Sequence, residues 1–362
     1  MSELKRIKAW LQLLAAPEIG NAKTIKLAET FGEPAEFLGN SGVFEIENIS
    51  EKTKEFLKNP AEPKGWERAK KLIEKFEIKF VSILDDNYPQ MLRNIYDPPP
   101  FLFYRGNLNK EDLRRTIAIV GTRKASPYGK QMVQEIGMKL SQAGFTIISG
   151  LAYGIDAIAH MSALNQNGKT YAVMGTGVDQ IYPPENREIA DEIIKTGAIM
   201  SEYVPGSRAE KWNFPTRNRI ISGLSLGSFI IEGSRKSGAL LTAKFAMDQN
   251  RDVFALPGDI NRPQAEGPNY LIKLGAKIVS CAQDILEEYD LILDEQTRLF
   301  PELTRQEDKI YQILLNNKPE MHFDNLLVAS GLNIGELSSI LLNLELKNVI
   351  KKTPGNKIVA MY

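Results

Sequence analysis

Apolar side chains in roughly the first 60 residues recur at three- and four-residue intervals between short polar turns, a pattern that predicts several short helices. Two such stretches, Trp10 to Ala15 and Thr24 to Phe31, are joined by Pro17-Glu18-Ile19-Gly20 in the manner of a helix-hairpin-helix. From Phe80 the period changes. Strand-like FVSIL and FLFY are separated by a Tyr-Pro step and by Pro98-Pro99-Pro100. Six short continuous apolar runs follow: TIAIVG (Thr116 to Gly121), FTIIS (Phe145 to Ser149), TYAVMG (Thr170 to Gly175), AIMSEY (Ala198 to Tyr203), SFIIEG (Ser228 to Gly233) and DVFALPG (Asp252 to Gly258). Helical patterns lie between most of them. That alternation predicts an α/β fold with a doubly wound, mostly parallel sheet covered on both faces.

The pattern changes again near the C-terminus. Leu286 to Leu303 is an acidic connector, and Thr304-Arg305-Gln306-Glu307 reads as a capping box opening a helix to Asn316. Helical stretches over Asp324 to Ser330 and Ile334 to Asn348 precede a hairpin in which Pro354-Gly355-Asn356 turns between Val349-Ile350 and Lys357 to Met361. Three helices and a hairpin make a winged helix. Its last helix carries Glu336 and Glu345 against Lys347 alone, which suits a protein contact or a structural module better than a DNA groove. The expected domains are therefore 1–65 helical, 66–285 α/β, 286–303 linker and 304–362 winged helix.

Composition adds little until it is divided by region. The 362 residues hold 45 basic and 45 acidic side chains, but residues 112–285 hold 20 basic against 16 acidic. That excess matters only if the charges converge. Cys281 is the one cysteine, which excludes an intramolecular disulfide and a cysteine metal cluster, and reads as a small core residue. No apolar window approaches the length of a membrane span, so no membrane partner is expected and the cytoplasm is the expected compartment.

In a doubly wound sheet, ligands bind beyond the carboxyl ends of the strands. Here those ends include Gly121-Thr122-Arg123-Lys124, Ser149-Gly150 and Gly233-Ser234-Arg235-Lys236-Ser237-Gly238, with Phe214-Pro215-Thr216-Arg217-Asn218-Arg219 in the preceding loop. Cations beside glycine and serine at helix starts suit phosphates, because free backbone amides and the helix dipole favour negative charge there. The acids beside these cations are Asp156, Glu202, Glu232 and Asp259. Tyr128, Tyr153, Tyr182, Tyr203, Trp212 and Phe214 are interleaved with the cations, as single-stranded nucleic acid requires for base stacking. Phe214, held by Pro215 next to Arg217 and Arg219, is the ring best placed for it.

Enzymatic readings find less support. Gly175-Thr176-Gly177 lacks the third glycine of a dinucleotide fingerprint, and Gly233 to Gly238 is followed by Ala239-Leu240 where a nucleoside-triphosphate loop has Lys and Ser or Thr. The histidines are His160 and His322, and no grouping of His, Asp and Glu has metal-ligand spacing. His160 lies four residues after Asp156 on one helix, close enough to pair, either as an acid-base device or as a tie between helix turns. We assign no catalytic residue, metal or cofactor. In the N-terminal hairpin, Glu18 occupies a place where a phosphate-binding hairpin has glycine, so that segment reads as a packed helical domain.

These motifs together resemble the DNA processing protein A (DprA, also Smf) family. The resemblance rests on Ile117 to Gly129, Ile148 to His160, Gly175 to Arg187, Ser201 to Gly206, Phe214 to Ser225, Ser237 to Gly258 and Gly267 to Ala276, in order over some 160 residues. It implies a small SAM-like helical domain, an extended Rossmann-like domain and a winged helix. It further implies a non-enzymatic protein that binds and protects incoming single-stranded DNA and loads the RecA recombinase during natural transformation, as a homodimer formed through the Rossmann domain. Carried over by residue, Arg123 is a phosphate contact, Arg217, Asn218 and Arg219 line a basic pocket, and Ser237 and Gly238 supply helix-start amides. Gly150, Phe214 and Lys236 extend that pocket. Thr122 stands where the family presents serine. The competing readings are a nucleotide hydrolase like the phosphoribohydrolases, whose Pro-Gly-Gly-x-Gly-Thr is absent at Pro257-Gly258-Asp259-Ile260, and a scaffold whose basic edge holds an acidic protein tail.

Overall fold

The computed structural model describes residues 2–40, 49–289, 303–316, 321–347, 349–353 and 355–360, in two compact units that divide between residues 292 and 293. The first begins with α1 (Glu3–Leu14), α2 (Asn21–Phe31), α3 (Pro34–Phe37), α4 (Glu51–Lys58) and α5 (Trp66–Lys75). Side chains of Ser2 and Ser50 cap α1 and α4 by accepting from Lys5 N and Thr53 N. Between α1 and α2, Glu18 has φ 61°, the left-handed region that favours glycine, which is why hairpins of this kind usually place glycine there. Ile7, Trp10 and Leu11 are buried in the same cluster as Phe80, Val81, Phe101 and Phe103. The helical segment therefore shares a core with the sheet.

That sheet has nine strands among the described residues: β1 (Lys79–Ser82), β2 (Phe101–Gly106), β3 (Thr116–Val120), β4 (Thr146–Ser149), β5 (Thr170–Val173), β6 (Ala198–Ser201), β7 (Gly227–Ile230), β8 (Asp252–Ala255) and β9 (Lys277–Ile278). Their order is β1-β2-β6-β5-β4-β3-β7-β8-β9, parallel from β6 to β9, with β2 antiparallel to both β6 and β1. Every residue of β3, β4, β5, β6 and β7 is buried, the signature of strands covered on both faces. The helices are α6 (Gln90–Arg93), α7 (Pro127–Gln142), α8 (Ile155–Leu164), α9 (Arg187–Thr196), α10 (Asn213–Gly223), α11 (Gly238–Asp248), α12 (Glu266–Lys273) and α13 (Gln283–Leu286). The predicted doubly wound, mostly parallel sheet is present.

Two details differ from the sequence reading. Part of the acidic connector packs on the sheet: Tyr289 donates to Asp252 Oδ2 at 3.1 Å and its ring meets Phe145 and Phe254. The rest of that connector, residues 290–302, lies outside the described residues. Cys281 is half-buried rather than in the core, because it starts the turn whose amides bond Asp284.

In the second unit the expected capping box is formed, with Thr304 N donating to Glu307 Oε2 at 2.7 Å and Glu307 N to Thr304 Oγ1 at 3.3 Å. It opens α14 (Arg305–Asn316), followed by β10 (Met321–His322), α15 (Phe323–Ser330), α16 (Ile334–Leu346), β11 (Ile350–Thr353) and β12 (Lys357–Ala360). The strands pair antiparallel in the order β10-β12-β11 over a core of Ile310, Leu326, Leu341, Leu344 and Ile358. This is a winged helix. Of the predicted turn, Pro354 lies outside the described residues.

Candidate nucleic-acid interface

The strand order reverses at β3, which has β4 on one side and β7 on the other, and the crevice beyond such a reversal is where sheets of this kind bind ligands. The loop after β3 is held from below by Glu232, at the end of β7. Its main-chain oxygen accepts from Thr122 N at 2.8 Å, its Oε2 from Ser126 N at 2.9 Å, and its Oε1 from the Ser126 hydroxyl. A Cβ at Gly129 would fall 2.5 Å from the Glu232 carboxyl, so glycine is required for this approach. Glu232 is thus fully used in fixing the Arg123 loop.

The helix α10 delivers the central cation. Arg217 is only 5 % exposed, and its guanidinium spans the ends of β4 and β5: Nη1 donates to Gly150 O at 2.9 Å and to Val173 O, and Nε to Asn218 Oδ1 at 3.1 Å. Nη2 makes no hydrogen bond among the described residues. A side chain at Gly150 would collide with that atom, since its Cβ would fall 2.5 Å away. Burial pushes the Arg217 pKa down to about 10, opposed by the charge of Asp156, so the group stays cationic at neutral pH. Asp156 is itself buried, which raises its pKa, and it accepts from the amide of Gly150 at 3.2 Å. A buried guanidinium with one unpaired end is costly unless an anion completes it.

The start of α11 faces the same space. Ser237 and Gly238, with Ala239 and Thr242, line a cleft of about 570 Å³ together with Arg123, Asp156, Lys211, Phe214, Arg217 and Asn218. The Ser237 side chain does not cap α11, and its buried hydroxyl has no hydrogen-bond partner among the described residues. Asn218 Nδ2 donates to Gly238 O at 3.1 Å and so fixes the helix start against α10. At the rim, Arg123 lies over the Phe214 ring at 5.9 Å, and Phe214 meets Tyr182 at 5.4 Å. Gly175 makes room for this ring, its Cβ position being 2.8 Å from Phe214 Cδ1, which gives the Gly175-Thr176-Gly177 loop a packing role in place of a dinucleotide one.

The structure brings Arg123, Gly150, Phe214, Arg217, Asn218, Ser237 and Gly238 together and leaves two expected pocket residues outside the cleft lining. Arg219 is two positions after Arg217, about 200° around the helix. It points away and is bound by Glu202 Oε1 and Oε2 at 2.6 and 2.7 Å and by Asp97 Oδ2 at 3.2 Å. Its placement in a basic pocket is therefore corrected: it is a structural cation. Lys236 is exposed in the loop before α11 and does not line the cleft, while its neighbour Arg235 pairs with Glu266 at 3.3 Å and lies over Tyr270 at 4.5 Å. Lys211, which does line it, was missed by sequence reasoning; its signal was a lysine one turn before Phe214.

The expected Asp156–His160 pair is also absent. His160 is fully buried and its Nδ1 bonds Thr170 Oγ1 at 2.7 Å, while Asp156 turns to loop amides. Burial holds the His160 pKa down at about 3 from 6.5. The unfolded chain therefore binds a proton that the folded chain refuses between those values, and stability falls as pH drops through that window by about 1.4 kcal/mol per pH unit from this group. Urea unfolding of His160→Gln should show a correspondingly flatter pH dependence than the parent; an equal slope would assign the acid sensitivity to other groups. Among the described residues there is no group of three or more His, Cys, Asp or Glu able to hold a metal ion, and no single helix is long and apolar enough to cross a membrane.

Comparison with known proteins places the chain in a family. Residues 79–290 match the family model for DNA recombination-mediator protein A, and residues 295–356 that for the DprA winged helix domain. DNA processing protein DprA of Bacillus subtilis is 44% identical over 211 residues, covering 58% of this chain and 71% of that protein. The X-ray structure of DNA processing protein A from Streptococcus pneumoniae superposes with a TM-score of 0.65 at 37% identity, over 79% of this chain and 95% of that one. DNA processing protein A from Helicobacter pylori, whose structure was described for its single-stranded DNA binding mode, gives a TM-score of 0.54 at 30% identity, over 60% of this chain and 98% of that one. With a family match spanning more than half its length, a sheet of the same fold and a winged helix, the chain belongs to the DNA recombination-mediator protein A (DprA/Smf) family.

Proposed function

We propose that the cleft grips the sugar-phosphate chain of an unpaired DNA strand without breaking a bond, and that the protein protects such strands and passes them to RecA in transformation and recombination. The observation that carries the DNA reading is the buried Arg217, which lines the same cleft as the start of α11, a helix with no side-chain cap. A phosphate there would be met by charge and backbone amides together. The family relationship supports the RecA role. Assembly as a homodimer through the Rossmann-like unit is supported by the exposed Leu274 and Ile278 beside and on the edge strand β9, and a protein-contact role for the winged helix by exposed Val328, Ile334 and Leu342.

The test is a fluorescence anisotropy titration with labelled single- and double-stranded oligonucleotides at two salt concentrations. Single strands should bind more tightly, with affinity falling as salt rises. Arg123→Ala should weaken binding to every sequence alike and flatten the log-affinity against log-salt slope by roughly one unit. An unchanged slope would remove Arg123 from the interface. Incubation with nucleoside monophosphates provides the opposing arm, since release of free base would favour a hydrolase.

A further inference from the structure

Trp212 is 69 % exposed, while Trp10 and Trp66 are buried at 0 % and 5 %. It makes no hydrogen bond through its indole nitrogen and no ring contact among the described residues, so a large apolar surface stands uncovered. Its place in the fold is particular. Lys211 and Pro215, on either side of it along the chain, both line the cleft, as does Phe214, whereas Trp212 itself does not. It therefore stands on the outer rim at the N-terminal end of α10.

The backbone beneath the indole is fixed. Asn213 is buried and its Nδ2 donates to Gly175 O at 3.0 Å; Thr216 Oγ1 donates to Trp212 O at 3.0 Å. An exposed aromatic on a fixed backbone, with one neighbouring ammonium at Lys211, has the form of a stacking platform, although Glu210 close by contributes an opposing charge. The cleft volume of about 570 Å³ is that of a site for one small ligand. A polymer held there by a phosphate must leave over the rim.

We propose that Trp212 stacks an unpaired base of the strand as it leaves the cleft, forming a second contact outside the phosphate pocket. The inference rests on the single-stranded DNA reading of the cleft. Stacking is sequence-tolerant because every base presents a π face, so this contact adds affinity without adding sequence preference. It also adds no charge neutralisation. Its removal should lower affinity and leave the salt slope alone, the reverse of what removal of a phosphate contact does to the slope.

The experiment uses the full chain and oligothymidylates of increasing length, read by anisotropy of a label and separately by intrinsic tryptophan emission. Saturating a long oligonucleotide should quench the emission of the parent protein and leave that of Trp212→Ala unmoved, since Trp10 and Trp66 are buried. Trp212→Ala should bind the long strand roughly five- to 150-fold more weakly, the range for one lost stack, with an unchanged salt slope. Trp212→Phe should recover most of the loss and Trp212→Leu should not. Equal affinities for the parent and Trp212→Ala, or equal recovery by Phe and Leu, overturn the stacking contact while leaving the cleft reading intact. Failure of the parent protein to bind any single strand overturns both.

Discussion

Arg217→Ala should reduce single-stranded DNA affinity more than any other single change, by about 2–5 kcal/mol, the usual cost of truncating one partner of a buried, hydrogen-bonded charge pair. The size follows from its position. A phosphate on Nη2 is met in a site shielded from water, where Coulomb attraction is screened less than at the exposed Arg123. Arg217→Lys should fall nearly as far, because a single ammonium nitrogen cannot stand both where Nη1 holds Gly150 O and Val173 O and where Nη2 lies, and so loses the planar fork. Loss of stability is the obvious objection, since the alanine leaves two carbonyls unpaired and Asp156 without its counter-charge. Gly150→Ala answers it from the other side. There the arginine remains, but the new Cβ would occupy a position 2.5 Å from Nη2 and 2.7 Å from Cζ, so the guanidinium must move. Both variants should lose DNA while retaining cooperative melting, measured by anisotropy and circular dichroism. A folded Arg217→Ala protein that binds as the parent does would falsify the cleft as the DNA site.

How much of this was legible in the sequence depends on the kind of burial. Strands β3 to β8 are short apolar runs because parallel strands are covered on both sides, and such runs stand out against the helices between them. β9 escaped because it is two residues long, Lys277–Ile278, and presents neither side to a core. The cations were legible as a group but their directions were not. Helix α10 buries Asn213, Arg217, Asn218, Arg219 and Ile220 on successive faces, so no apolar stripe in the sequence says which arginine meets the cleft and which meets Glu202. The same limit hid the partner of His160. An i,i+4 spacing brings Asp156 within reach, but the neighbouring strand offered Thr170 and the loop offered amides, contacts that no local pattern encodes.

The helical segment and the sheet should unfold as one body, and Trp10→Ala should show it. Trp10 is fully buried; its ring meets Phe101 edge-on at 6.2 Å and its Nε1 donates to Glu33 Oε2 at 2.9 Å. Glu33 in turn pairs with Arg6 at 2.8 Å, which also reaches Asp85 at 2.7 Å and Ser82 Oγ at 2.8 Å in the strand β1 and the turn after it. Removing the indole thus opens a cavity at the junction and loosens a part-buried ionic knot, at a cost of about 3–5 kcal/mol. For a unit of this size that lowers the melting midpoint by roughly 10 °C. The distinguishing readout is amide hydrogen exchange in β4 and β5, far along the sheet from Trp10. One contiguous cluster runs from Ile7 and Trp10 through Phe101 to Ile148 and Val173, so protection in those strands should fall by the same free energy as global stability. Unchanged protection there, with loss confined to α1–α5, would instead make residues 1–65 a domain that folds on its own.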